Sequence, residues 1–406
     1  MSIGSDSKHL TAARRAVLAW KGHVWLPLRQ TVAEAYQKQY YPLGYSPALD
    51  GLRGLMTIGI IVAHVRYPLV PGSILYMDMF FVMSGYFITS LLLRDIERHG
   101  TIRYAQFYRR RFARLLPPFA AMLTVYLLYR FFFFGPFSAA FLDASLAFTY
   151  VANWWRAFGW QGVSYMGHTW SLSVEEQFYL LWPITLILLF RWLGVSWRLV
   201  GAIVALALAI WVWRAYLTST GVPFWRLYNG TDTRADAFVA GCALAVFFKL
   251  APPGRFPRFE QFLPKLAWPV LVFCLFTTFF FVQFQNPLYY YYGIFLCGII
   301  PGSVLLILIL RSSGTIVHRI LERPEPVFLG RIFYGMYLWH FPILMIMNDQ
   351  FGVPNLLRFL IGFPLTVLMA TLSYAFIERH FMRTRATAPQ DETAKPLVPQ
   401  SQAAPS

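Results

Sequence analysis

Ten apolar windows close to the ~20-residue length that crosses a bilayer recur along this chain, and that recurrence constrains the fold more than any other feature. They fall at about 50–67, 74–93, 115–134, 172–190, 199–217, 235–250, 266–284, 289–310, 327–347 and 355–377. With 406 residues, 57% of them hydrophobic and 13% charged, the chain carries more apolar surface than a soluble core buries. The pattern predicts an all-α polytopic membrane helix bundle of about ten transmembrane helices, with the lipid bilayer as its first partner. Residues 1–48 read as a cytoplasmic N-terminal arm, 49–380 as the transmembrane domain, and 381–406 as a disordered cytoplasmic tail rich in Pro, Gln, Ala and Ser.

A net charge of +17 raises the question of a nucleic-acid partner, and the placement of the basic residues answers it. If the N-terminus is cytoplasmic, 27 of the 35 lysines and arginines fall on the cytoplasmic side of ten spans. Arg66, Arg130, Arg156, Arg214, Arg226, Arg234 and Arg358 fall on the other side, and Arg53 stays within the first helix. Positive charge therefore reports orientation, with both termini cytoplasmic, and no nucleic-acid partner is expected. Cys242, Cys274 and Cys297 each sit in an apolar run without a CxxC partner, which argues for packing residues and against a metal site.

Polar residues inside the apolar windows carry the chemistry, because each is costly to place there. The first window reads LDGLRGLMTIGIIVAHV from Leu49 to Val65. At about 100° per residue, Arg53 and His64 leave the same helical face, roughly 16 Å apart along the axis. Asp78 opens the second window, suited either to an interfacial helix start or to pairing with a buried cation. Residues 103–118, RYAQFYRRRFARLLPP, form the densest charge run, with Arg110, Arg111 and Arg114 at helical spacing. Lipid headgroups would suit such a run, as would a phosphate-rich ligand gripped by guanidinium forks. GHTWSLSVEEQFYLLWP at 167–183 places His168, Trp170, Ser171, Glu175 and Glu176 at the outer mouth of the fourth window. Adjacent glutamates point about 100° apart, so a single partner meets one of them. Farther on, TDTRADAF supplies Asp232 and Arg234, and GMYLWHFP supplies His340 beside a proline.

Together these motifs resemble the integral-membrane acyltransferase-3 family. The resemblance rests on LDGLRG with Arg53 and then His64 after ten intervening residues, on DMFFVMSGYFIT at 78–89 and FYRRRFARLLP at 107–117, and on HTWSLSVEEQFYL at 168–180, DTRADAF at 232–238 and GMYLWHFP at 335–342. It covers about residues 45–380 and marks 49–380 as an acyltransferase domain. The resemblance implies transfer of an acyl group, often acetyl from acetyl-CoA, to a hydroxyl of a glycan or glycoside, usually on an envelope or exported glycan. It assigns Arg53 and His64 to an essential first-helix motif and the Arg111 and Arg114 pair to a basic motif contacting the CoA phosphates. With only a short tail after the last window, the chain reads as the type without an extra esterase-like domain, in a bacterial inner membrane.

A sugar hydroxyl is a weak nucleophile at neutral pH, and imidazole has the pKa to remove its proton. His64 is therefore the expected general base, oriented by Glu175, Glu176 or Asp78, with Arg53 holding the donor or balancing charge. Direct transfer and an acyl-histidine intermediate both remain open. His168, Trp170, Ser171, Asp232, Arg234 and His340 are the expected acceptor-side residues, and no metal is required. A transporter that uses its intramembrane charges for coupling is the alternative, but the basic and HTWS motifs have no counterparts in the other half, as a repeat-built transporter would need.

Overall fold

The computed structural model describes residues 46–65, 69–133, 136–160, 165–281 and 285–383. Among these it is helical throughout, without strands. Nearly all of the arm expected over 1–48 and of the tail expected over 381–406 lies outside the described residues, and the first helix begins at Pro47.

Among the described residues, ten long helices carry the fold. They are α1 (Pro47–Val65), α2 (Leu75–His99), α3 (Tyr104–Phe133), α4 (Thr169–Leu193), α5 (Trp197–Ser219), α6 (Thr231–Leu250), α7 (Ala267–Phe280), α8 (Tyr289–Arg311, π-helical over Tyr289–Ile299), α9 (Phe333–Asp349) and α10 (Asn355–Ser373). Among the described residues, eight helical stretches are long and apolar enough to cross a membrane. The sixth and ninth expected windows correspond to α6 and α9, which are not among the eight. Both pack inside the bundle, α6 against α2 and α5 and α9 against α10 and α1, so neither needs an apolar surface all round. The peripheral helices do need one. Leu356, Leu360 and Leu368 on α10 and Leu208, Val212 and Tyr216 on α5 are exposed in stripes suited to lipid.

Two boundaries differ from the sequence reading. The ninth window began too early, because Pro324–Arg331 is a separate short helix that ends before α9 starts. The basic run, in turn, belongs to the same helix as the third span. Pro117 and Pro118 lie inside α3 without ending it, and the Tyr334 hydroxyl donates to the Leu115 carbonyl beside them at 2.9 Å.

Close backbone contact holds α1 in place. A Cβ on Gly51 would lie 1.8 Å from the Leu321 carbonyl oxygen, one on Gly54 2.3 Å from that of Pro326, and one on Gly330 1.8 Å from that of Asp50. The glycines of LDGLRG thus let α1 lie directly on the Ile316–Leu321 and Pro324–Arg331 helices. On the other side of the bundle, Gly85 and Gly241 bring α2 and α6 together in the same way. Gly330→Ala is expected to force the two backbones apart and to destabilise the protein by about 1–3 kcal/mol. Gly201→Ala, where an added Cβ meets nothing, should leave the melting temperature of the detergent-solubilised protein unchanged or raised.

Candidate active site

α1 has a polar station at each end. At its start, Asp50 accepts a hydrogen bond from Arg53 at 3.0 Å, and Arg331 stands 3.8 Å from the other carboxylate oxygen. The Arg53 guanidinium lies 4.7 Å from the centre of the Phe87 ring and 5.4 Å from that of Phe333. Arg114, exposed on α3, adds its charge to the field at Asp50 and at Glu378. One buried carboxylate thus has Arg53 and Arg331 beside it, and the charge of the exposed Arg114 also reaches it.

At the other end His64 occupies the last turn of α1, with Nδ1 3.3 Å from Nε2 of His340 on α9. The Nδ1 of His340 lies 2.7 Å from the Tyr337 carbonyl and 3.1 Å from that of Met336. Carbonyls only accept, so the proton of neutral His340 is on Nδ1 and its Nε2 accepts. In that pairing His64 donates from its own Nδ1, with the Ile60 backbone as its other polar neighbour, and the lone pair of the neutral ring is then on Nε2. Arg358 on α10 fixes the end of this helix: its guanidinium donates to the Val65 carbonyl at 2.9 Å while also holding Asn348 and Asn355. α9 runs nine residues past His340, so the pair lies roughly 13 Å below that end of the helix.

His168, just before α4, completes a cluster. Its ring stacks on Phe341 at 5.1 Å and meets His340 at 5.4 Å, while Phe341 stands edge-on to His64 at 5.0 Å. Among the described residues neither ring nitrogen of His168 makes a hydrogen bond, although the Leu338 backbone is a polar neighbour. The Tyr337 hydroxyl donates to the His168 carbonyl at 2.7 Å and contacts the Ser171 hydroxyl. No three His, Cys, Asp or Glu side chains among the described residues converge as metal ligands.

The three carboxylates expected to orient His64 are engaged elsewhere. Asp78 is paired with Arg234 at 2.9 Å, both fully buried, because α2 and α6 bring a buried guanidinium against it. Glu176 takes a bidentate grip from Arg111, with Nη2 at 2.7 Å and Nε at 3.0 Å. Glu175 accepts from Ser84 at 2.8 Å and from Tyr179, whose ring lies 3.3 Å from the Arg111 guanidinium carbon. The reason is depth. Glu176 is seven residues into α4 and Arg111 seven into α3, each roughly 10 Å from its own end, and the two helices enter from opposite sides. Arg111 is accordingly held inside the bundle, whereas Arg110 and Arg114 are exposed.

The acceptor-side expectations divide. His168, His340 and Ser171 meet at the His64 cluster. Trp170 instead packs on Tyr228 at 4.6 Å and on the Arg234 guanidinium at 5.7 Å. Asp232 is held by Arg226 at 2.6 Å and by the Trp213 indole at 2.8 Å. Beside them Arg214 and Asp236 form a second fully buried ion pair at 2.7 Å.

Sequence reasoning did not single out Arg331, Tyr337 or Arg358 for these roles, whereas Asp50 stands out in the sequence as an acid close to the helical face of Arg53 and His64. Arg358 did carry one signal, as a cation on the side where the charge distribution predicts few. With this geometry in view, residues 46–376 match the family model described as the acyltransferase domain Acyl_transf_3.

The chain belongs to this acyltransferase family.

Its relatives include the peptidoglycan O-acetyltransferase OatA of Listeria monocytogenes, 34% identical over 83% of this chain and 56% of that protein. The O-acetyltransferase OatA of Staphylococcus aureus is 32% identical over 84% of this chain and 58% of its own length. The chain thus spans a little under three fifths of these relatives. No solved structure matches it.

Within the acyltransferase domain the Asp78–Arg234 pair has a structural test. Asp78→Ala is expected to leave a buried guanidinium unpaired and to cost about 3–5 kcal/mol, measured as unfolding free energy or as loss of monodisperse protein.

Proposed function

We propose that the chain is a membrane O-acyltransferase that moves an acetyl group from a cytoplasmic acyl-CoA to a hydroxyl of a sugar-containing acceptor of the bacterial cell envelope, from a seat in the inner membrane. Family membership and the O-acetyltransferase relatives support the reaction class. The 3.3 Å contact between His64 and His340 carries the mechanism, because it leaves the His64 Nε2 lone pair free to act as a base.

In this reading His64 Nε2 takes the proton from the acceptor hydroxyl as its oxygen attacks the thioester carbonyl. The C–O bond forms, the C–S bond breaks, and the imidazolium returns the proton to the departing thiolate. His340 holds the tautomer and bears part of the transient charge, the role given to Glu175, Glu176 or Asp78 on sequence grounds. Tyr337 and Ser171 hold the His168 backbone at the mouth of the same cluster.

Acetyl-CoA, or another acyl-CoA, is a substrate whose phosphates suit the cationic end of α1. Arg53 and Arg331 stand beside Asp50 there, the charge of Arg114 reaches it, and Arg110 is exposed on the same helix as Arg114. Arg111 is the weaker candidate, since Glu176 already fills its fork. The roughly 16 Å between Arg53 and His64 along α1 is then the distance that the extended arm of the donor bridges.

The test uses purified protein in nanodiscs with radiolabelled acetyl-CoA and a peptidoglycan-derived glycan. His64→Ala should lower acetyl transfer about 10³-fold, and His340→Ala about 10²-fold, while donor binding persists in both. Arg53→Ala combined with Arg114→Ala should weaken donor binding about tenfold or more. Transfer at the wild-type rate by His64→Ala would refute the mechanism.

A further inference from the structure

Among the described residues, the arginines on the sparsely charged side of the bundle other than Arg156 have evident contacts. Arg214, Arg226 and Arg234 are paired with Asp236, Asp232 and Asp78. Arg358 holds the end of α1, and Arg130 lies 4.9 Å from the centre of the Tyr165 ring. Arg156, in the short helix Ala152–Ala157, is different. Its hydrogen bond among the described residues runs from Nε to the Asn229 amide oxygen at 3.4 Å, and no described carboxylate lies within ion-pairing distance.

Arg156 is also next to the histidine cluster. One of its terminal nitrogens lies 2.8 Å from the point where a Cβ on Gly167 would stand, and the Phe341 ring lies 3.3 Å from that same point. Phe341 is the ring that touches both His64 and His168. The guanidinium charge is felt at both imidazoles, and the hydroxyls of Tyr228 and Tyr337 are its other polar neighbours. Part of the residue stays open to its surroundings, while burial pushes the guanidinium pKa down without a carboxylate to offset it. The absent side chain of Gly167 leaves room for that guanidinium beside His168.

A cation enclosed this way gains most from an incoming anion, and a planar guanidinium matches a carboxylate with two parallel hydrogen bonds. Donor phosphates belong to the opposite end of α1, roughly 16 Å away. We propose that Arg156 is an acceptor-recognition residue that grips a carboxylate on the sugar-containing substrate, so that the preferred acceptors are acidic glycans and the grip presents a nearby hydroxyl to His64. This rests on the acetyl-transfer reading, and it adds the substrate class. Gly167 is its positioning residue.

The test measures binding first, without donor. The full chain in nanodiscs is titrated with p-nitrophenyl glucuronide and with its methyl ester, in which a methyl group removes the negative charge. Wild type should bind the acid about tenfold or more tightly than the ester. Arg156→Gln should bring that ratio to about one, Arg156→Lys should restore part of it, and Gly167→Ala should lower it, because the new methyl displaces the guanidinium while the chain still folds. A wild-type ratio near one, or an equal loss for acid and ester in Arg156→Gln, would overturn the proposal. Acetyl transfer to both probes is then followed with labelled acetyl-CoA. An Arg156-dependent binding preference without any acetyl transfer would preserve the carboxylate site and count against the acyltransferase reading alone.

Discussion

A charge inside a membrane helix bundle must find a partner within the protein, and that requirement arranges the interior of this molecule. Asp78 with Arg234, Arg214 with Asp236, and Glu176 with Arg111 each join different helices. Breaking one such pair leaves a charge in a medium that solvates it poorly, so the pairs fix the relative placement of α2, α3, α4, α5 and α6. α1 and α9, which carry His64 and His340, are held differently, by glycine-mediated backbone contact and by Arg358 at the end of α1. The ion pairs form the frame and the histidines stand in it.

This division explains why so many polar residues lie close to the histidine cluster with their partners elsewhere. Desolvation drives each carboxylate toward the nearest guanidinium, and the buried arginines outcompete an imidazole for that role because they keep their charge. His64 is left with a neutral partner. A neutral His340 fixes the His64 tautomer through one hydrogen bond and leaves the opposite nitrogen basic, an arrangement that a base in acyl transfer requires.

The two ends of α1 give the chemistry a direction. Arginines gather around Asp50 at one end, suited to phosphates, and imidazoles gather around Phe341 at the other, next to Arg156 and the sparsely charged face. A single helix of 19 residues would, in the proposed reaction, link a donor-side station to an acceptor-side station. In the proposed reaction that separation lets the two substrates approach from opposite sides of the bilayer.

Much of this was legible in the sequence. Recurrent apolar windows dictate a helical membrane bundle, because backbone polar groups in lipid must be satisfied within each segment. The cost of burying Arg53, His64, Asp78 and His340 marked them as residues with a purpose, and the motif order pointed to the acyltransferase family. Partnership was not legible. Spacing along one helix says which residues share a face, yet the contacts of His64 with His340, Glu176 with Arg111 and Asp78 with Arg234 span 276, 65 and 156 residues of chain. Those pairings depend on helix depth, tilt and close approach at glycines, quantities that no local pattern encodes. The sequence by itself therefore determined the architecture and the inventory of reactive groups, and the tertiary structure decided which of them meet, because buried charge pairs according to proximity in space.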